Sequence, residues 1–144
     1  MASDDRLIYL VFTAQQKLRN YLKTVFAREG ITVTPVQTAI LALLIEQDSR
    51  TMSELSTILS IDNSTMTGLV DRLERAGFVQ RRSGTKDRRI SQIAITGAGI
   101  DEAGRAIVVI GRVNEEIKAG FSGEDVAAFK AVLRSFFTKF TVER

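Results

Sequence analysis

The chain has 144 residues, of which 44% are apolar, enough for one domain with its own core and an added dimerisation element. It holds neither cysteine nor histidine, which excludes disulfides, thiol nucleophiles, imidazole-based triads and the usual zinc and iron ligands. The net charge is only +3 but is unevenly placed: residues 71–89 carry seven basic against three acidic side chains, a local +4 that leaves −1 elsewhere, the footprint of a nucleic-acid surface.

The opening stretch MASDDRLIYLVF has two acids and no basic leader, and its apolar run breaks at Thr13 to Lys17. Neither a signal peptide nor a membrane span is expected, and the expected location is cytoplasmic. From Asp4 to Ala27 the apolar residues Leu7, Ile8, Val11, Ala14, Leu18, Tyr21, Leu22, Val25 and Phe26 follow helical spacing, predicting an amphipathic helix that Gly30 ends. Thr34-Pro35-Val36-Gln37 then supplies an N-cap, a first-turn proline and a capping-box glutamine ahead of AILALLI, a helix apolar on nearly every side and so predicted to be buried. Thr51-Met52-Ser53-Glu54 opens a short third helix in the same way.

After a turn at residues 60–63, a fourth helix starts with Asp62 or Asn63 as N-cap, buries Met66, Leu69, Val70 and Leu73, and stops at Gly77. Its other side displays Ser64, Thr67, Gly68, Asp71, Arg72 and Arg75. Residues 78–82 and 90–95 suit two strands joined by the turn residues 83–87. Thr96 can cap a long helix to about Ala119, and Ser122 to Asp125 starts a last helix with Val126, Phe129, Val132, Leu133, Phe136, Phe137 and Phe140 aligned. Apolar stripes on both terminal helices, beside a middle segment with its own core, imply a homodimer through those helices. Gly97, Gly104 and Gly111 recur every seven residues in the long helix, either for close packing of another helix, the favoured reading, or as a hinge.

This order predicts a mainly α fold with a small β-hairpin wing: a winged helix-turn-helix domain over residues 34–96, an N-terminal dimerisation helix over 1–33 and C-terminal dimerisation helices over 97–144. In such a domain the fourth helix enters the major groove of double-stranded DNA with its N-terminal half near base edges. Asn63, Ser64, Thr65 and Thr67 are then the short hydrogen-bonding groups at the helix start, where backbone N–H groups also favour a phosphate. Gly68 permits close approach or is merely a small surface residue. Arg72 can reach a guanine edge or a phosphate, and Arg75 lies on the same face. Arg81, Lys86 and Arg88 are assigned to phosphates, while strand alternation points Arg82 away from Arg81.

The segments STMTGLVDRLERAGFVQR, residues 64–81, and DRRISQIAIT, residues 87–96, resemble the recognition helix and wing of the MarR-type (multiple antibiotic resistance regulator) family. Ile95 departs from that pattern, standing where leucine is commoner. The resemblance spans nearly the whole chain in element order. It implies a dimeric repressor of a pseudo-palindromic operator, with Arg89 entering the minor groove and Asp87 orienting it. It also implies a small aromatic or anionic effector held between the dimerisation helices and the winged domain, within reach of Arg6, Tyr9, Phe12 and Gln16. No cofactor or metal is expected. A winged-helix module that binds protein instead of an operator is the competing reading. An enzyme is disfavoured, because the adjacent acids Asp4-Asp5 and Glu115-Glu116 point about 100° apart on a helix and form no acid/base pair.

Overall fold

The computed structural model describes residues 6–84, 86–87 and 89–142. Among them the element order is α1 (Leu7–Arg28), α2 (Pro35–Glu46), β1 (Arg50–Thr51), α3 (Met52–Leu59), α4 (Asn63–Arg75), β2 (Val79–Ser83), β3 (Ser91–Ile95), α5 (Gly97–Lys118) and α6 (Gly123–Lys139). Two compact units divide the chain within α5, one running through Ile110 and the other beginning at Gly111.

The first unit contains the winged fold, and its helix ends follow from local chemistry. Thr34 caps α2 by accepting from the Gln37 N–H while the Gln37 side chain accepts from the Thr34 N–H, so the predicted capping box is complete, with Pro35 in the first turn. At α3 only half of the expected box forms among the described residues: Thr51 Oγ1 accepts from the Glu54 N–H at 3.1 Å. The turn into α4 uses Ser60 in the left-handed region, φ 54°, with the Ile61 N–H donating to the Ser56 carbonyl. Ile40, Leu41, Leu44, Leu55, Met66, Val70, Leu73, Val79 and Ile93 form the buried centre. α5 adds Ala103, Ala106 and Val109 to the buried set.

The sheet has three strands in the order β1-β3-β2, all antiparallel, whereas a two-stranded hairpin was predicted. The extra strand, β1, pairs Arg50 with Ile93 and Thr51 with Gln92. Two residues are too short for any alternation of apolar and polar positions to show, so only the pairing defines the strand. Nearby, Asp48 Oδ1 accepts from the Ile95 N–H at 2.9 Å and Arg50 Nε donates to the Leu43 carbonyl at 3.1 Å, fixing β1 between α2 and β3.

The glycine requiring close approach is Gly99, not one of the three spaced by seven. A Cβ on Gly99 would meet the Phe78 carbonyl oxygen and Ile95 Cγ1, where α5 begins against the wing. Gly97 and Gly104 have nothing within 4 Å of an added Cβ among the described residues of the first unit, so no close packing there requires glycine. On α1 the one buried residue is Phe26, and the rest of its predicted apolar stripe is exposed or half-buried.

In the second unit, α6 is capped by a complete box between Ser122 and Asp125. It buries none of its residues, and Phe129, Val132, Phe137 and Phe140 are all exposed. Phe136 and Phe140 meet edge to face with ring centroids 5.3 Å apart.

Candidate nucleic-acid interface

Helix α4 owes its start to Asp62, which takes the N-cap position of the two residues offered by the sequence. Its Oδ1 accepts from the Thr65 N–H at 2.8 Å and from the Ser64 hydroxyl at 2.7 Å, and its Oδ2 from the Thr65 hydroxyl at 2.9 Å. These donors hold the Asp62 carboxyl at about 2, the Thr65 backbone N–H contributing most and the Ser64 and Thr65 hydroxyls next. The helix ends in a Schellman arrangement: Gly77, φ 83°, donates to the Glu74 carbonyl and the Phe78 N–H donates to the Leu73 carbonyl, both at 3.0 Å.

Met66, Val70 and Leu73 turn one face of α4 into the core. The opposite face leaves Asn63, Ser64, Thr65, Thr67, Arg72 and Arg75 exposed and Gly68 half-buried. Thr67 Oγ1 donates to the Asn63 carbonyl at 2.8 Å. Arg72 and Arg75 lie back along the helix, their Nε atoms donating to the Gly68 carbonyl at 3.2 Å and the Asp71 carbonyl at 3.5 Å. An added Cβ on Gly68 would make only ordinary contact, 3.5 Å from Arg72 Nη2, so no steric demand within the chain requires glycine there.

In the wing, β2 and β3 pair in register from Val79 with Ile95 to Ser83 with Ser91. The loop between them is closed by the Gly84 N–H donating to the Ile90 carbonyl at 2.7 Å, and a Cβ on Gly84 would sit 2.6 Å from the Asp87 carbonyl oxygen and 2.8 Å from that of Ile90. Glycine at this position is therefore a steric requirement of the turn. Asp87 receives the Arg89 backbone N–H at 3.0 Å, Arg89 Nε at 3.2 Å and Nη2 at 3.2 Å. The Arg89 guanidinium is the main cause of the lowered Asp87 pKa, with the Arg89 N–H second. Since the Arg89 side chain is 91% exposed, this pair adds little stability; its effect is to aim a charged fork outward. Lys86 is exposed, and Arg88 lies outside the described residues.

Arg81 departs from the expected phosphate contact. Its Nη1 donates to Glu74 Oε1 at 2.7 Å and its Nη2 donates to Asp71 Oδ1 at 2.5 Å, while its backbone N–H donates to Glu74 Oε2 at 3.1 Å. Asp71 is the first cause of its raised pKa, and its side chain is 29% exposed. The guanidinium is occupied inside the protein and ties β2 to α4. Strand alternation carried the signal: Val79 and Arg81 share the inward side, and Arg82 is exposed. The partners Asp71 and Glu74 could have been found by placing both acids on the wing-facing side of α4.

Of the residues assigned to an effector, Arg6, Tyr9, Phe12 and Gln16 are all exposed on α1 or just before it. The Arg6 guanidinium stands over the Tyr9 ring, 5.0 Å from its centroid. No group of acidic residues among those described could hold a metal ion. No described helix is long and apolar enough to cross a membrane.

Comparison with known proteins agrees with this architecture. Residues 33–91 match the model of the MarR family. The chain is 25% identical over 133 residues to the organic hydroperoxide resistance transcriptional regulator of Bacillus subtilis (strain 168), covering 92% of this chain and 88% of that protein. Its fold is shared with the PcaV transcriptional regulator of Streptomyces coelicolor, solved in complex with its natural ligand, at a TM-score of 0.87 and 22% identity over 98% of both chains. It is shared equally with S. aureus MepR, solved as a DNA complex, at a TM-score of 0.85 and 19% identity over 97% of this chain and 100% of that one. The winged domain, residues 33–91, thus matches the MarR family directly, and the flanking helices are similar in fold to those of solved transcriptional regulators.

Proposed function

We propose that this protein is a cytoplasmic, sequence-specific DNA-binding transcriptional regulator that represses from a pseudo-palindromic operator as a homodimer. The observation carrying this reading is Arg89, exposed at the wing yet held by three hydrogen bonds to Asp87, beside an α4 face of hydroxyls and arginines with the core on its other side. Residues 34–96 serve as the DNA-binding domain, with 1–33 and 97–144 as dimerisation segments. Ser64, Thr65, Thr67, Asn63 and Gly68 approach base edges in the major groove, Arg72 and Arg75 reach base or phosphate, and Arg89 enters the minor groove. Lys86 and Arg88 neutralise phosphates.

The dimer reading is supported by apolar side chains left in solvent on the terminal helices, among them Ile8 at 88% and Phe137 at 79% exposure. Because the Streptomyces relative in fold was solved with a natural ligand, a small aromatic or anionic effector that releases DNA belongs to the same reading. Its contacts are placed at Arg6, Tyr9, Phe12 and Gln16. The relatives are transcriptional regulators, and the proposed role requires no catalysis.

Selection of bound duplexes from random DNA, followed by titration, tests the proposal. The expected result is an enriched palindrome with half-sites about one helical turn apart. On that operator Arg89→Ala weakens binding by more than about tenfold with the dimer intact, whereas Lys86→Ala weakens all sequences alike and lowers the salt slope by about one unit. Equal binding to every duplex at physiological ionic strength would sink the proposal.

A further inference from the structure

Near the start of α4, three hydroxyls each give their single proton to a group of their own segment. Ser64 Oγ and Thr65 Oγ1 donate to the two Asp62 carboxylate oxygens, and Thr67 Oγ1 donates to the Asn63 carbonyl. A hydroxyl has one proton and two lone pairs, so with the proton committed it can only accept. The first two commitments are strong because the acceptor is charged, and charge-assisted hydrogen bonds are about twice as strong as neutral ones. These contacts also lower the Asp62 pKa, so the acceptor is charged at neutral pH.

All three oxygens lie on exposed residues, away from Met66, Val70 and Leu73, which face the core. We infer that the first turns of α4 read the major groove as hydrogen-bond acceptors, selecting sequences that place an amino group, adenine N6 or cytosine N4, on the base edge facing Ser64, Thr65 and Thr67. This rests on the DNA-binding reading above and specifies its chemistry. The same arrangement disfavours a phosphate at this helix start: hydroxyl and phosphate would both be acceptors, the Asp62 carboxylate adds a like charge, and the Thr65 N–H is already taken. Donor capacity on this face falls to Asn63 and to the arginines further along.

The test uses the full chain and an operator obtained by selection. At each half-site position adenine is replaced by purine, which lacks the 6-amino group, or cytosine by 2-pyrimidinone, which lacks the 4-amino group. In parallel, 7-deazapurines delete the N7 acceptor and keep the amino group. The expected result is that amino deletion at one or more positions weakens binding about tenfold. That penalty falls below about twofold once Ser64→Ala, Thr65→Val or Thr67→Val removes the facing oxygen, as a double-mutant cycle requires of a direct contact. Ser64→Ala and Thr67→Val leave the Asp62 cap on the Thr65 N–H in place. Asp62→Ser keeps a capping oxygen but removes the carboxylate, and should shrink the amino-deletion penalty by freeing hydroxyl protons. Coupling of the three hydroxyls to 7-deazapurine positions, or to no base at all, overturns the inference while the regulator reading stands. If selection enriches no sequence, the regulator reading fails and the inference with it.

Discussion

The winged core and the terminal helices draw on similar apolar residues, yet they differ in where those residues end up. In the core, Ile40, Leu41, Leu55, Met66 and Val70 are completely buried by neighbours from the same chain. On α1 and α6 the equivalent stripes are exposed: α1 buries only Phe26 and α6 buries nothing. Both sets of helices are regular and well capped or amphipathic. The core is thus buried by its own chain, whereas the terminal helices leave apolar surface of the kind a subunit partner covers.

Substitutions can break this comparison or sharpen it. The largest effect belongs to the core: Leu55→Ala, at a fully buried position, should lower unfolding free energy by about 2–5 kcal/mol. Denaturant titration should return that loss at every protein concentration. Phe137→Asp should behave in the opposite way, raising the dimer dissociation constant at least about tenfold in sedimentation experiments, since burial of a phenylalanine contributes about 1.5–3 kcal/mol. Helical circular dichroism of the winged domain should survive. A Phe137→Asp protein that stays dimeric would remove α6 from the interface.

A smaller effect lies inside the core itself. The Ser56 hydroxyl on α3 is buried and has no hydrogen-bond partner among the described residues. Ser56→Ala should therefore raise stability by about 1 kcal/mol, because it removes an unsatisfied polar group and improves helix propensity. A loss of stability would mean that the hydroxyl has a partner in solution.

The smallest effect concerns pH. Asp62 has a folded pKa of about 2 against an ordinary 3.8, a depressed value, so its cap contributes fully above 3.8 and is lost as pH falls toward 2. Asp62→Asn should flatten that part of the stability profile in denaturation midpoints measured across the window. Asp87, lowered by Arg89, adds to the same slope and is removed separately by Asp87→Asn.

Much of the fold was legible because its signals are local. A capping residue, a first-turn proline or a terminal glycine acts within four or five residues, and Thr34, Pro35, Gln37, Asp62, Gly77 and Ser122 each do in the structure what their positions predict. The α4 surface was legible for the same reason, since helical periodicity assigns Met66, Val70 and Leu73 inward and the hydroxyls outward. Less was visible of pairings between distant segments. Strand β1, the ion pairs of Arg81 with Asp71 and Glu74, and the tie from Glu102 Oε1 to the Thr32 N–H at 3.0 Å join residues 7 to 70 positions apart.

The amino-acid sequence by itself marked the caps of α2 and α6 and the glycine that ends α4, showed which face of α4 is polar, and carried a winged helix-turn-helix pattern that resembles the MarR family. Tertiary structure alone decided that Arg81 clasps α4 instead of projecting outward and that Gly99 and not Gly104 lies under steric constraint. The physical reason is range. Capping and periodicity depend on neighbours along the chain, but whether a polar atom is free depends on which partner the fold brings within about 3 Å.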